Sequence, residues 1–165
     1  MIITSALPIA GFVGCVLTAA INDARTLRIP NILCAAIAML FAVHAAIDLT
    51  LAQTATALGL AAATLGAGFI AFSRGMIGGG DAKLLAVCMA WAGPALAIEF
   101  LIITGLAGGL IGLALLSPPV MRSTAGLRRH WPVSSANLPA ARAPMPYGVA
   151  IAAGALIVAA RIISR

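Results

Sequence analysis

Long apolar stretches separated by short polar segments run along almost the whole of this chain of 165 residues. A bilayer core requires roughly 20 consecutive apolar residues per helix, and several of the stretches approach that length. The stretch Asp81–Ser117 is too long for one helix, and Gly93-Pro94 is its natural break because proline cannot donate a hydrogen bond in a helix interior. We therefore expect about six helices, over Ile2–Ile21, Ile32–Leu49, Thr54–Phe72, Ala82–Trp91, Ala95–Ser117 and Tyr147–Ile163.

Composition supports a membrane protein. Hydrophobic residues make up 62% of the chain and charged residues 8%, whereas soluble domains carry about 25% charged residues. We predict an all-α, polytopic transmembrane helical bundle, in a single domain over residues 1–165 with no room for a separate soluble domain. No Lys or Arg precedes the first stretch, so it lacks the basic region of a signal peptide and is expected to be a retained helix.

The net charge of +6 is carried mainly by short segments between the stretches, which is how membrane topology is encoded, and nucleic-acid binding is not expected. The positive-inside rule places Asp23 and Asp81 on the cytoplasmic side and the N-terminus outside. Fusion of the fourth and fifth spans would keep the two aspartates together and move the C-terminus inside. Eight basic residues fall on the inner side against Arg161 and Arg165 on the other: Arg25, Arg28, Arg74, Lys83, Arg122, Arg128, Arg129 and Arg142.

Two of the four acidic residues stand beside membrane spans on the same predicted side, Asp23 after the first span and Asp81 after the glycine run 78–80. Carboxylates at a membrane boundary are costly to desolvate, so each one is expected to have a specific structural or functional role. Two carboxylates held close share one proton; the ionised one can take a proton from water while the protonated one polarises a carbonyl. The pattern indicates an aspartyl protease at a membrane surface that needs no metal or other cofactor.

Other roles for these residues stay open. Asp81 is also a favoured helix N-cap, and Asp23 could be a solvated loop residue. Gly78 and Gly80 can adopt positive φ and let a substrate backbone approach closely, while the dipole of the following helix favours a charge at Asp81. Lys83 either snorkels to the lipid headgroups or contacts an acidic substrate side chain.

The remaining polar residues suggest an alternative class, a small transporter or assembly subunit in which Glu99 and the aspartates line a path. Glu99 could equally be a boundary residue, and Asp48 falls on the opposite side from the aspartate pair. His44 and His130 lie on opposite sides, so a shared metal site is not expected. The cysteines are expected to be apolar packing residues: Cys15, Cys34 and Cys88.

The long polar stretch Val120–Met145 either lies on the lipid surface or supplies ordinary topology-setting charge, which we favour. The residues that suggest an interfacial segment are Arg122, Arg128, Arg129 and Trp131.

Three motifs together resemble type IV prepilin peptidases. The run 78–83, Gly-Gly-Gly-Asp-Ala-Lys, is similar to their G-x-G-D-x-K signature, and Asp23 followed by Pro30-Asn31 is similar to their first-aspartate segment. The run 144–148, Pro-Met-Pro-Tyr-Gly, is similar to the P-x-P-[YF]-G element that opens their last helix. The G-x-G-D element alone is shared with presenilin-like proteases, which cut inside the bilayer and form a third hypothesis.

The resemblance implies an endopeptidase of the bacterial inner membrane that cuts the basic leader from prepilins on the cytoplasmic side, after a glycine and before the apolar helix. Asp23 and Asp81 match the two catalytic aspartates. The implied partners are a prepilin of the Flp type or a pseudopilin, the lipid bilayer and pilus assembly machinery. The other matched residues would shape the site: Gly78, Gly80, Lys83, Pro30, Asn31, Pro146, Tyr147 and Gly148.

Longer members of the family carry a cytoplasmic domain with two cysteine pairs after the first helix and often N-methylate the new N-terminus. Here that position holds just Asn22–Asn31, without cysteine. The chain resembles the short form associated with tight-adherence (Flp-type) pili, and N-methyltransferase activity is not expected. Archaeal preflagellin peptidases are similar in size.

Overall fold

The computed structural model describes residues 2–117 and 145–164, and these residues form helices and short connections without a β-strand. The first four helices are long and apolar enough to cross a membrane, and the last is a shorter apolar helix. The polar stretch around Arg122–Trp131, with His130 and Pro144, lies outside the described residues. The helices are α1 (Ile2–Thr26), α2 (Asn31–Asp48), α3 (Leu51–Ser73), α4 (Gly79–Leu116) and α5 (Tyr147–Ile163).

The helical bundle agrees with the sequence, but the described residues form five helical elements rather than six. The predicted fourth and fifth spans are joined in α4, which has a kink where the break was predicted. Gly93 has φ 56° and ψ −174°, a conformation outside the helical region, and Pro94 follows it. The kink therefore divides α4 into a first half before Gly93 and a second half after it.

We call the end of the bundle at which Asp23 lies the aspartate end. Asp23 lies in the last turn of α1 and contacts Gly148 at the start of α5. Gly80, at the start of α4, packs against Ile29 in the connection between α1 and α2. The C-terminal end of α1 and the N-terminal ends of α2, α4 and α5 therefore meet here.

The two halves of α4 run in opposite directions. Its second half returns to the aspartate end, because a Cβ at Gly112 would lie 3.3 Å from Sδ of Met145, just before α5. At the far end of the bundle, Glu99 bonds to Arg161 in the last turn of α5. A straight helix of the 38 residues in α4 would be about 57 Å long and could not have both ends at one level.

The core is organised around Trp91, near the end of the first half of α4. Phe12 of α1 stacks on its ring at a centroid distance of 4.3 Å, and Phe41 of α2 meets it edge-on at 6.0 Å. The indole N–H donates to the carbonyl oxygen of Ile37 at 3.2 Å, which satisfies a buried donor. These contacts fix α1, α2 and the first half of α4 relative to one another. The cysteines are free, and Cys34 and Cys88 are buried in this core.

The second half of α4 packs against α5 at Gly154, and this contact leaves no room for a side chain. A Cβ there would lie 2.9 Å from Cδ2 and 3.0 Å from the carbonyl oxygen of Phe100, and it would also collide with Thr104. We expect Gly154→Ala to lower the free energy of unfolding by about 1–3 kcal/mol through overpacking. Thermal unfolding in detergent measures this. Gly109→Ala, where nothing lies within 4 Å, is the matched control, and equal unfolding temperatures would contradict the packing argument.

Candidate active site

Asp23 lies on a helix rather than in the loop that the sequence predicted, because α1 continues to Thr26. Leu27 ends the helix with a φ of 53°, and its amide donates to the carbonyl oxygen of Asp23 at 2.8 Å. The side-chain amide of Asn22 donates to the carbonyl oxygen of Arg28 at 2.8 Å, which holds the turn. Asp23 is 4% exposed, so the alternative of a solvated loop carboxylate is wrong.

The Asp23 carboxylate bonds to the N-terminus of α5. Its Oδ2 accepts a hydrogen bond from the amide of Gly148 at 2.7 Å. Gly148 is the second residue of α5, where the first amides have no partner within the helix and the helix dipole favours a negative charge. A Cβ at this position would lie 2.9 Å from both Cβ and Oδ2 of Asp23, so the contact requires glycine. Pro146 and Tyr147 precede it as the N-cap and first residue of α5.

Asp81 is the third residue of α4, and Gly78 is the N-cap, so the prediction of Asp81 as the N-cap is wrong in position. Its Oδ2 nevertheless accepts a hydrogen bond from the Gly78 amide at 3.2 Å, a bond of the capping type. Its Oδ1 is buried and has no hydrogen-bond partner among the described residues. One oxygen therefore fixes the carboxylate, while the other is a buried acceptor whose hydrogen-bonding capacity is unused by the described residues.

The glycines before Asp81 act through their small size. We expected positive φ at Gly78 and Gly80, and this is wrong: Gly78 has φ −73°, and the described positive-φ glycines lie after α3 and at the α4 kink. A Cβ at Gly78 would lie 2.7 Å from Oδ2 of Asp81, and one at Gly80 would lie 3.1 Å from Cβ of Ile29. Gly78 therefore leaves room for the Asp81 carboxylate, and Gly80 lets the start of α4 approach the connection after α1.

The two aspartates line one open cavity of about 830 Å³ at the aspartate end. The volume lies within the range of about 300–1,000 Å³ that is usual for ligand sites. The other residues that line it come from the end of α1, the α1–α2 connection and the starts of α2 and α4: Asn22, Thr26, Leu27, Arg28, Ile29, Pro30, Asn31, Gly78, Gly79 and Gly80.

Lys83 lies at the rim of this site rather than in its lining. Its Nζ donates to Oδ1 of Asn31 at 3.0 Å, so it ties the start of α4 to the start of α2. Pro146 and Tyr147 also do not line the cavity, although they position Gly148.

Sequence reasoning missed six lining residues: Asn22, Thr26, Leu27, Arg28, Ile29 and Gly79. Their signal was their position, since the first five lie in the same short segment as Asp23 and Gly79 lies in the glycine run before Asp81. The positive φ of Leu27 had no sequence signal, since residues other than Gly, Asn, Asp and His rarely adopt it.

Glu99 and Asp48 lie away from the aspartate pair. Oε1 of Glu99 accepts hydrogen bonds from Nε and Nη2 of Arg161 at 3.2 and 3.0 Å, near the C-terminal end of α5. Oδ2 of Asp48 lies 2.9 Å from Nδ1 of His44, a close contact that is not aligned as a hydrogen bond. This arrangement does not support a path that Glu99 shares with the aspartates. In residues 2–117 and 145–164, no three His, Cys, Asp or Glu side chains are grouped so as to hold a metal ion.

Comparison with known families gives one match. Residues 10–113 match the type IV leader peptidase family, a range that contains both aspartates, the α1–α2 connection and most of α4. The start of α5, with Gly148, lies beyond the matched range. Neither the curated proteins nor the solved structures gave a match.

Proposed function

Because this chain belongs to the type IV leader peptidase family, we propose that it is a membrane aspartyl endopeptidase that removes the basic leader from a prepilin. Membership makes it a leader-peptidase-like protease, and its apolar helices make it a multi-pass membrane protein. The observation that carries the finer proposal is the shared cavity. Asp23 and Asp81 both line it, and a backbone amide holds one oxygen of each.

The proposed reaction is acid–base catalysis by the pair. A water molecule binds between the carboxyl groups, and the ionised aspartate takes a proton from it as its oxygen attacks the carbonyl carbon of the scissile peptide bond. The protonated aspartate donates a hydrogen bond to the carbonyl oxygen and supports the charge that develops there. The carbon–nitrogen bond then breaks, and the leaving amine takes up a proton from the pair.

The two backbone amides would orient the carboxyl groups of the aspartates. Gly148 holds Asp23 from α5, and Gly78 holds Asp81 at the start of its own helix, so neither side chain needs to be ordered when substrate arrives. Such preorganisation lowers the entropic cost of bringing water and substrate together.

We further propose that the cavity faces the cytoplasm from the bacterial inner membrane. Support comes from the positive-inside rule, since the connections at the aspartate end carry Arg28 and Arg74. Arg25 in the last turn of α1 and Lys83 in the first turns of α4 add to this charge. The connection between α1 and α2 is short, which favours an Flp-type prepilin or a pseudopilin as substrate and peptidase activity without N-methylation.

Mass spectrometry of the reaction product tests this proposal. The purified protein in liposomes would receive a synthetic prepilin, a basic leader ending in glycine followed by an apolar helix of about 20 residues. We expect an unmethylated new N-terminus directly after the glycine. Glu99→Gln is expected to cleave at the wild-type rate, because Glu99 lies at the other end of the bundle. Absence of cleavage, a cut inside the apolar helix, or loss of cleavage in Glu99→Gln would each contradict the proposal.

A further inference from the structure

Leu27, directly after the end of α1, has a backbone conformation that is unfavourable for leucine. Its φ is 53°, in the left-handed region, where the Cβ atom of an L-residue comes too close to the following carbonyl oxygen. Helices that end in a left-handed residue usually have glycine at that position. The chain therefore carries a leucine side chain here at a cost in stability, and such outliers are found mostly at functional sites.

The hydrophobic core does not compensate for this conformation. Ile29 and Leu33, in the same part of the chain, pack against the buried core cluster, and Leu27 is not among the described residues that do so. Leu27 is nevertheless partly buried, and it lines the cavity that contains Asp23 and Asp81. The strained leucine therefore points to a role inside this cavity.

The wall of the cavity that contains Leu27 approaches a wall made of glycines. A Cβ at Gly80 would lie 3.1 Å from Cβ and 3.5 Å from the carbonyl oxygen of Ile29, so no further side chain fits between these two residues. Ile29 follows Leu27 by two residues, and Gly78 and Gly79 continue the opposite wall. A peptide that passes beside Leu27 is therefore confined between an apolar side chain and glycine backbone.

Leu27 lies on the leader side of the proposed catalytic centre. It follows Asp23 by four residues, which is about 6 Å further along the axis of α1 toward the aspartate end. Its amide donates to the carbonyl oxygen of Asp23 at 2.8 Å, which keeps the two residues one turn apart. In the proposed function the apolar helix of the substrate remains in the bilayer and its leader lies outside, so the residue before the cut passes Leu27.

We propose that Leu27 is the specificity-determining residue that restricts the substrate position before the cut to glycine. This inference rests on the proposed function and adds the residue that selects the cleavage site. The isobutyl group of Leu27 occupies the space that a substrate side chain at this position would need, whereas glycine lets the substrate backbone approach the two carboxyl groups. Glycine at position 27 would relieve the backbone strain and open this space.

A pair of synthetic prepilins tests this selection on the active enzyme in liposomes. The first is the substrate described above, with glycine before the cut, and the second has valine there. The wild type should cleave the first with a kcat/KM about 100-fold higher. Leu27→Gly should lower this ratio by about tenfold or more, by gaining activity on the second. An unchanged ratio in Leu27→Gly, with both proteins cleaving the first prepilin, would overturn the role of Leu27 and leave the protease intact.

Leu27→Asn is the matched control, because it separates the size of the side chain from the strain of the backbone. Asparagine adopts positive φ more readily than leucine and is similar to it in size. Both variants should unfold in detergent at or above the wild-type temperature, and Leu27→Asn should keep the preference for glycine. Equal relaxation of the preference in Leu27→Asn and Leu27→Gly would show that the backbone conformation acts rather than the side chain, and would overturn the proposal.

Binding decides the same point without cleavage. Energy transfer between labelled Asp81→Asn protein and labelled prepilin in liposomes gives the Kd. The prepilin with glycine should bind about tenfold more tightly than the one with valine, and the addition of Leu27→Gly should remove the difference. Equal Kd values for the two prepilins in Asp81→Asn protein would overturn the proposal. If the wild type cleaved neither prepilin, the protease proposal would fail, and the difference in Kd would still decide the role of Leu27.

Discussion

Asp81→Asn is expected to abolish leader cleavage and leave the helical bundle folded. Asparagine has the same shape as aspartate, and its side-chain oxygen can still accept the hydrogen bond from Gly78 that fixes the start of α4. An amide cannot exchange a proton with water, and loss of a general acid or base costs about 10²–10⁴-fold in rate. Asp23→Asn should have the same effect, since it keeps the bond from Gly148. Product formation by mass spectrometry measures the rate, and thermal unfolding checks the fold.

The matched control is Asp48→Asn, which changes a carboxylate in contact with His44 outside the aspartate cavity. It should cleave at the wild-type rate. The double variant of Asp23 and Asp81 should be no slower than either single variant, because residues that act as a unit have non-additive effects. Normal cleavage by either single variant would show that the pair is not catalytic.

Gly148→Ala should have the second largest effect on activity, although the residue takes no part in proton transfer. The new methyl group would lie 2.9 Å from Oδ2 and 3.1 Å from Cγ of Asp23, so the carboxylate must move. A displacement of about 1 Å in a catalytic group can cost about 10²-fold in rate. We expect a loss of that order in kcat, with KM for the synthetic prepilin little changed.

Gly14→Ala is the control for this substitution. Gly14 lies on α1, the helix that carries Asp23, and nothing lies within 4 Å of the added Cβ. The control should therefore retain activity. If Gly148→Ala cleaved as fast as Gly14→Ala, the contact between α5 and Asp23 would have no role in positioning the carboxylate.

The helices were predictable because apolar length is a direct signal of a membrane span. The predicted Tyr147–Ile163 is the observed α5, and Ile32–Leu49 differs from α2 by one residue at each end. The end of α1 was missed, since Asn22–Thr26 is polar and yet continues the helix. The polarity of that segment indicated that the chain leaves the bilayer there. Polarity alone does not distinguish a loop from a last helical turn that lines the cavity.

The placement of Asp23 and Asp81 at one cavity was also predictable, because few acidic residues were available and two of them fell on one predicted side of the membrane. The contact between Gly148 and Asp23 was not predictable from local pattern, since it joins residues 125 positions apart. The motif around Tyr147 indicated that Gly148 matters, and the structure supplies a physical reason for it. The roles of Gly78 and Gly80 were misjudged because sequence does not distinguish a glycine needed for its φ from one needed for its size.

The kink at Gly93 makes the first half of α4 shorter than a bilayer span. The first half of α4, residues 79–92, rises about 21 Å, and the 18 residues of α2 rise about 27 Å, whereas the hydrocarbon region is about 30 Å thick. Such a mismatch is accommodated by thinning of the surrounding lipid or by tilt. Thinning would bring headgroups and water toward the two carboxylates, so hydrolysis could proceed beside a membrane without a channel through it.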